Sequence, residues 1–316
     1  MELMNTIANV SSFIVPNSYI YNASAKLLRE EVKDNLNSVI DFKSKLIFEN
    51  ARTYTSIYKT DKLNKSKSIS YKEELKHKDI SIKKENLDNK HWVFSKDIVD
   101  NNGKNSIVDL YDCYGSIATL RDKLYWLESP KEIIENNVNY YIKDYKGNKY
   151  KIEKDLCLDF YKITKMKKDY KILCPYTSGK IMDESVLKEK YPSGYNYLKA
   201  IRKELDERDK GKVSKYENWF AYGRTQGLQE KNNAYYLFLP LMASKLYSCY
   251  KIKNKNNFMF SSGFVLGFDT EKEADKVKGI LESGLFFNYI KTKGKPWAGK
   301  EPYYSFTKTH LKDFYI

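Results

Sequence analysis

Apolar residues recur at two spacings along this chain, and the changes between them predict its elements. Residues 12–20 read S-F-I-V-P-N-S-Y-I, an apolar run broken by Pro16, which predicts a short buried strand and then a turn. Ala25, Leu28, Val32 and Leu36 follow at intervals of three and four. A helix is therefore expected over about 23–36, with Asn22 as its cap. S-V-I-D-F at 38–42 and the alternating T-Y-T-S-I-Y-K at 53–59 predict two more strands. Strand, helix, strand, strand is the pattern of an α/β sheet, and so short a stretch is one end of such a sheet.

Residues 63–90 are rich in Lys, Ser, Asn and Glu and poor in large apolar residues. They are expected to form a basic linker, either solvated or lying along a phosphate backbone. A second region opens at His91-Trp92-Val93-Phe94. Within it we expect helix or strand up to Tyr111, a turn at Gly115 and a strand over 124–127. A hairpin is expected about Lys146-Gly147-Asn148. Leu198, Ile201 and Leu205 share a face of a helix over 195–208, and 258–268 is strand-like around Gly263. Thr270 with Glu273 forms a capping box for a helix over 270–290, whose stripe is Ala274, Val277, Leu281 and Leu285. No internal repeat is visible. The fold class expected is mixed α+β. A partial α/β sheet fills 1–62, a linker 63–90, and a mixed α+β domain 91–316.

Composition fits a folded chain with room for more than one core: 316 residues, 41% hydrophobic. Lys+Arg exceed Asp+Glu by 56 to 41, a formal +15, which suits an anionic partner such as DNA or RNA. Richness in Lys, Asn, Tyr and Ile also follows from AT-rich coding, which halves the weight of that signal. Aromatics interleaved with lysine stack on bases and hold phosphates, and coding bias explains many of the 28 tyrosines equally well. Cys113, Cys157, Cys174 and Cys249 form no C-x-x-C pair, and His77, His91 and His310 adjoin no cysteine cluster. Zinc and a disulfide scaffold are therefore not expected. The first fifteen residues carry no signal-peptide pattern, and no stretch reaches the ~20 apolar residues of a membrane span. A cytoplasmic protein without a membrane partner is expected.

Residues 219–228 read W-F-A-Y-G-R-T-Q-G-L. Gly223 and Gly227 permit close backbone approach. Arg224 offers a fork of donors for guanine or phosphate, and Gln226 pairs bidentately with adenine. Tyr222 lies among them. Such a segment can read nucleic acid; the alternative is a loop whose aromatics are core and whose arginine forms an internal ion pair. Thr119, Arg121 and Lys123 alternate after Gly115, which places them on one face of a strand, toward DNA or at a solvated edge. Residues 291–304, K-T-K-G-K-P-W-A-G-K-E-P-Y-Y, offer Lys293, Lys295 and Lys300 to phosphates and Trp297 as a wedge or stacking group. The alternative is a surface loop with Trp297 on the core. T-S-G-K at 177–180 departs from a phosphate-binding loop, and Asp61 with Glu74-Leu75-Lys76 matches a nuclease pattern only loosely.

Several segments, in order, resemble the C-terminal portion of adenine-specific DNA methyltransferases of restriction–modification systems that carry a TaqI-like target-recognition domain. S-F-I-V-P-N-S-Y-I, L-L-R-E-E-V at 27–32, S-V-I-D-F and L-I-F-E-N-A-R-T-Y-T at 46–55 resemble late strands of the catalytic domain. L-Y-D-C-Y-G-S-I-A-T-L-R-D-K at 110–123 resembles the start of the recognition domain. K-I-L-C-P-Y at 171–176, Y-P-S-G-Y-N-Y-L at 191–198 and Y-G-R-T-Q-G-L resemble its middle, and G-F-V-L-G-F at 263–268 with the final helix its end. The resemblance implies double-stranded DNA as partner and S-adenosylmethionine as methyl donor of a complete enzyme. It also places Phe48 where the family sets an aromatic or apolar residue against the flipped base; an ordinary core phenylalanine is the alternative.

Two family motifs are missing. No early F-x-G-x-G occurs, and the prolines never pair, so Asn/Asp-Pro-Pro-Tyr/Phe is absent. A base methyltransferase acting on duplex DNA must extrude its target and orient the amine beside the donor. The chain is therefore expected to recognise DNA but not to methylate alone, and to need a catalytic half or subunit. The rival expectation is a non-enzymatic protein that binds nucleic acid or a protein partner.

Overall fold

A computed structural model describes residues 7–51, 53–75, 77–87, 92–95, 105–211, 213–253, 257–299 and 302–316. His91, Lys76 and Lys300 lie outside them. The fold is mixed α+β and divides into two compact units. One comprises residues 1–110, 241–247 and 279–316; the other comprises 111–240 and 248–278. Each is thus discontinuous in sequence, unlike the serial division expected.

The first unit is built on a five-stranded sheet. Its strands are β1 (Val10–Pro16), β2 (Leu36–Leu46), β3 (Tyr54–Asp61), β4 (Ser68–Glu73) and β5 (Ile80–Lys83), in the order β1-β3-β2-β4-β5. Only β2 and β4 run parallel; the remaining neighbours are antiparallel. The expected linker at 63–90 therefore supplies two strands of this sheet. In β4 the buried residues Ile69 and Tyr71 alternate with serine and lysine, and in β5 Ile82 is buried. Period-two alternation decides a strand here, and polar composition hides it. Helix forms over Lys26–Lys33, behind a short 3-10 turn, Ala23–Ala25, and Asn22 makes no side-chain cap. Val32 is buried, as expected, while Leu36 opens β2 rather than closing the helix.

Two buried ionic groups hold this unit. The Arg29 guanidinium donates to the carbonyls of Tyr19 (2.6 Å) and Asn22 (2.8 Å), fixing the turn after β1. The Asp41 carboxylate, fully buried, accepts from Asn17 Nδ2 (3.0 Å), the Tyr21 hydroxyl (3.0 Å) and the Lys43 N–H (2.9 Å). Lys43 Nζ stands 3.5 Å from Asp41 and 3.2 Å from Glu73. This network sits where β2 loses register with β3, between Asp41 and Leu46.

The rest of the first unit packs the helices Leu285–Lys293 and Lys308–Lys312 with a small sheet. That sheet comprises Met242–Ala243, Tyr303–Ser305 and Lys295–Trp297. Phe286 meets Phe306 and Phe314 edge-on, both at 5.1 Å. The single helix expected over 270–290 is two, Glu271–Glu282 and Leu285–Lys293. Gly284, at φ +87°, breaks it. Ala274, Val277 and Leu281 are buried; Leu285, beyond the break, is exposed.

The second unit holds two four-stranded sheets. One orders Tyr250–Lys253, Tyr235–Pro240, Gly263–Phe268 and Asp112–Gly115; the other orders Phe258–Ser261, Cys157–Lys162, Tyr170–Leu173 and Trp126–Glu128. The stretch around Gly263 is thus two strands in different sheets, parted at Ser262 (φ +69°). A meander of Glu132–Glu135, Val138–Tyr145 and Asn148–Glu153 contains the expected hairpin at 146–148. The helix Pro192–Asp206 buries Leu198, Ile201 and Leu205 on its inner face.

Asp41→Ala should destabilise the chain by about 3–5 kcal/mol, because it leaves Asn17 and the Tyr21 hydroxyl without their buried acceptor and the Lys43 ammonium with Glu73 alone. Urea unfolding of the first unit checks this, and a loss below about 1 kcal/mol, the value of an exposed pair, would contradict it.

Candidate nucleic-acid interface

Two stretches of the second unit run side by side. The Ala118 N–H donates to the Arg224 carbonyl at 3.2 Å, and the Arg224 N–H donates to the Ala118 carbonyl at 2.8 Å. Both glycines of the 219–228 stretch serve this approach. A Cβ on Gly227 would lie 2.6 Å from the Ile117 nitrogen and 2.8 Å from the Gly115 oxygen. A Cβ on Gly223 would lie 2.3 Å from the Leu120 side chain. Glycine is needed for intramolecular packing here.

The stretch is tied at both ends. The buried Arg208 guanidinium donates to the carbonyls of Trp219 (2.6 Å) and Ala221. The Tyr125 hydroxyl donates to the Phe220 carbonyl at 2.9 Å. The Tyr222 N–H donates to the Tyr176 hydroxyl at 2.6 Å, and the Tyr222 hydroxyl donates to the Leu173 carbonyl at 2.6 Å. From the far side the buried Lys231 Nζ donates to the carbonyls of Gly227 (3.2 Å) and Gln229 (2.9 Å). It lies 5.3 Å from the Phe258 ring centre and 5.7 Å from that of Tyr114. Burial pushes its ammonium pKa down to about 8. Between these ties Arg224, Thr225 and Gln226 are exposed. Among the described residues nothing hydrogen-bonds or ion-pairs with the side chain of Arg224 or Gln226.

Tyr222 is 1% exposed and belongs to the core, so its expected contact with DNA is withdrawn. Thr119, Arg121 and Lys123 do not alternate along a strand, because Asp122–Tyr125 is a helical turn. Thr119 is buried and donates to Asp122 Oδ1 at 2.5 Å, while its oxygen accepts the Arg121 N–H at 3.2 Å. Such local bonds compete with strand formation, and they remove Thr119 from the surface. Arg121 is half-buried, and its Nε donates to the Glu204 carbonyl at 3.1 Å. Lys123 is exposed. The bridge at Ala118 thus brings Arg121 and Lys123 onto the segment that adjoins Arg224 and Gln226.

Lys293, Lys295 and Trp297 belong to the first unit. The expected loop is a strand pair there. Trp297 is half-buried, its indole N–H donating to Ser305 Oγ at 2.9 Å, with Tyr54 edge-on at 6.4 Å. An indole pinned in this way is not free to wedge between bases. Lys295 lies 4.9 Å above Trp297, and Lys293 lies 4.9 Å above Tyr289. Phe48 is neither in a strand nor in the core. It stands 45% exposed on the turn between β2 and β3, beside the exposed Leu46 and Ile47.

No glycine precedes Gly103, so the first sheet has no Cβ-free cradle of the kind a methyl donor's Gly-rich loop supplies. Its residues do not fit S-adenosylmethionine. Beside the 227–231 stretch is a cavity of about 350 Å³, lined by Cys174, Tyr176, Tyr191, Gln229, Lys231 and Phe258. Burial pushes the Cys174 thiol up to about 11, so it is not a nucleophile near neutral pH. Among the described residues no helix is long and apolar enough to cross a membrane.

Sequence reasoning missed Arg208, Tyr125, Tyr176 and Lys231. Their bonds join positions distant in sequence or run to backbone carbonyls, which carry no residue signature. No protein-family model and no curated protein sequence matches the chain. In solved structures it is similar to part of the Type IIL restriction–modification enzyme MmeI in complex with DNA. That likeness has a TM-score of 0.57 at 12% identity, over 97% of this chain and 39% of that one. Weaker likenesses are to the type IIG restriction endonuclease BpuSI (0.27, 13%, 97% and 40%) and to the ATP-dependent Type ISP restriction–modification enzyme LlaBIII bound to DNA (0.37, 10%, 81% and 19%). The chain spans about two fifths of MmeI's length, and at this identity the likeness shows a common fold.

Gly227→Ala should cost about 1–3 kcal/mol, since the clash is with fixed backbone. Gly223→Ala should cost less, because the Leu120 side chain can move; urea unfolding of both variants checks the order. Lys231 gives a pH signature. Its folded pKa, about 8, lies below its ordinary 10.5, so between those values the unfolded state holds the proton and the folded state does not. Stability therefore rises with pH across that window. Relative to Lys231→Met, the wild type should gain about 2 kcal/mol between pH 8 and 10, and a flat difference would contradict the burial of this ammonium.

Proposed function

We propose that the chain is the DNA target-recognition portion of an adenine-specific DNA methyltransferase of a restriction–modification system. One observation carries the reading: Arg224 and Gln226 stand exposed on a loop tied at both ends, beside the charged segment of Arg121, Asp122 and Lys123. A guanidinium fork suits guanine or phosphate, and a carboxamide suits adenine. Ties on both sides leave the loop little freedom to lose on binding. The formal +15 favours a duplex backbone. The fold held in common with part of MmeI, which was solved with DNA, supports the same reading. Recognition is assigned to the second unit; Lys293, Lys295 and Lys300 are proposed separately as phosphate contacts.

In this reading the first unit docks the catalytic half. Among the described residues β1 pairs with β3 alone, and its Val10 and Ile14 are exposed. Such an edge can accept a strand from another chain or segment. The partner would supply the donor-binding loop, S-adenosylmethionine and the Pro-Pro motif. Phe48, exposed on its turn, would stack on the extruded adenine of that assembly.

Fluorescence anisotropy with duplex DNA, single strands and RNA tests the reading. Duplex binding should weaken steeply as salt rises. Arg224→Ala should lose about 1–3 kcal/mol on the preferred duplex and less on others. Equal losses on every sequence would make Arg224 a phosphate contact, and tighter binding to RNA would overturn the assignment.

A further inference from the structure

Leu120 is placed where leucine is poorly suited. Its φ is +60°, in the left-handed region that glycine and asparagine adopt readily and a branched side chain does not. Its side chain is 38% exposed, so burial does not account for the choice. The surroundings nonetheless hold it in place. Thr119 and Asp122 close the turn on one side, the Ala118–Arg224 bridge closes the other, and Gly223 clears the space against which the side chain lies. Strain of this kind persists where the surrounding structure over-determines it, and it clusters at functional sites.

The neighbours of this apolar group are polar: Arg121, Asp122 and Lys123 on its own segment, with Arg121 partly engaged by Glu204 and Glu207, and the exposed donors Arg224 and Gln226 on the facing one. The major-groove edges of the base pairs offer such a surface acceptors, amino groups and one apolar group, the C5-methyl of thymine. We propose that Leu120 packs on a thymine methyl in the pair adjoining the base that Arg224 contacts. The surface then reads thymine by apolar contact and its neighbour by hydrogen bonds. This rests on the DNA-recognition reading above.

The test is a uracil scan. A preferred duplex is selected from random sequence, and each thymine in it is replaced in turn by uracil, which lacks only the methyl. The wild-type chain should lose roughly fourfold in affinity at one position, the fold-change one buried methyl is worth. Leu120→Asn and Leu120→Gly, both compatible with a left-handed backbone, should bind the thymine duplex as weakly as the wild type binds the uracil one. They should also be indifferent to that replacement, and both should keep a melting temperature near that of the wild type. Wild-type indifference to every uracil, or variants that keep full sensitivity, would overturn the proposal. A wild-type chain that prefers no duplex at all would instead overturn the recognition reading. Wild-type indifference to every uracil overturns the proposal even if neither variant folds.

Discussion

The paired backbone bonds between Ala118 and Arg224 are the constraint on which the second unit's surface depends. They join stretches 106 residues apart, and the approach is tolerated only because Gly227 and Gly223 carry no side chain toward the partner strand. Once the bridge is made, Leu120 to Lys123 and Arg224 to Gln226 cannot occupy separate parts of the unit. The glycines that looked like room for a ligand are room for the protein's own backbone and the Leu120 side chain.

The exposed side of the 219–228 stretch is polar because the inner side has used its aromatics. Phe220 and Tyr222 are buried, with Tyr125, Tyr176 and Arg208 holding the carbonyls and N–H groups between them. Lys231 completes the arrangement as a cation that makes its bonds inward, beneath the loop, where burial weakens its hold on a proton. The stretch thus combines the two readings that its sequence left open: core aromatics, and an arginine that faces solvent.

Legibility followed period and locality. The helix at 192–206, the hairpin at 146–148 and the strands β1 to β3 were readable because apolar residues repeat at helical or strand spacing over several positions. β4 and β5 were missed because serine and lysine fill the outward positions, and composition outweighed the alternation of Ile69, Tyr71 and Ile82. The alternation of Thr119, Arg121 and Lys123 misled for the opposite reason, since a hydroxyl–carboxylate bond three residues long reshapes the backbone there. Arg224 and Gln226 were legible as side chains; Arg208 and Lys231, which position them, act through backbone carbonyls that sequence does not display. The break at Gly284 was legible only as a glycine.

Hydrogen exchange along the chain, with and without duplex DNA, shows where a duplex docks on the second unit. Slowed exchange should be confined there to the amides of residues 118–124 and 222–229 and should fade as salt is raised. Protection spread evenly over the chain, or absent from both of these stretches while DNA is bound, would contradict this placement.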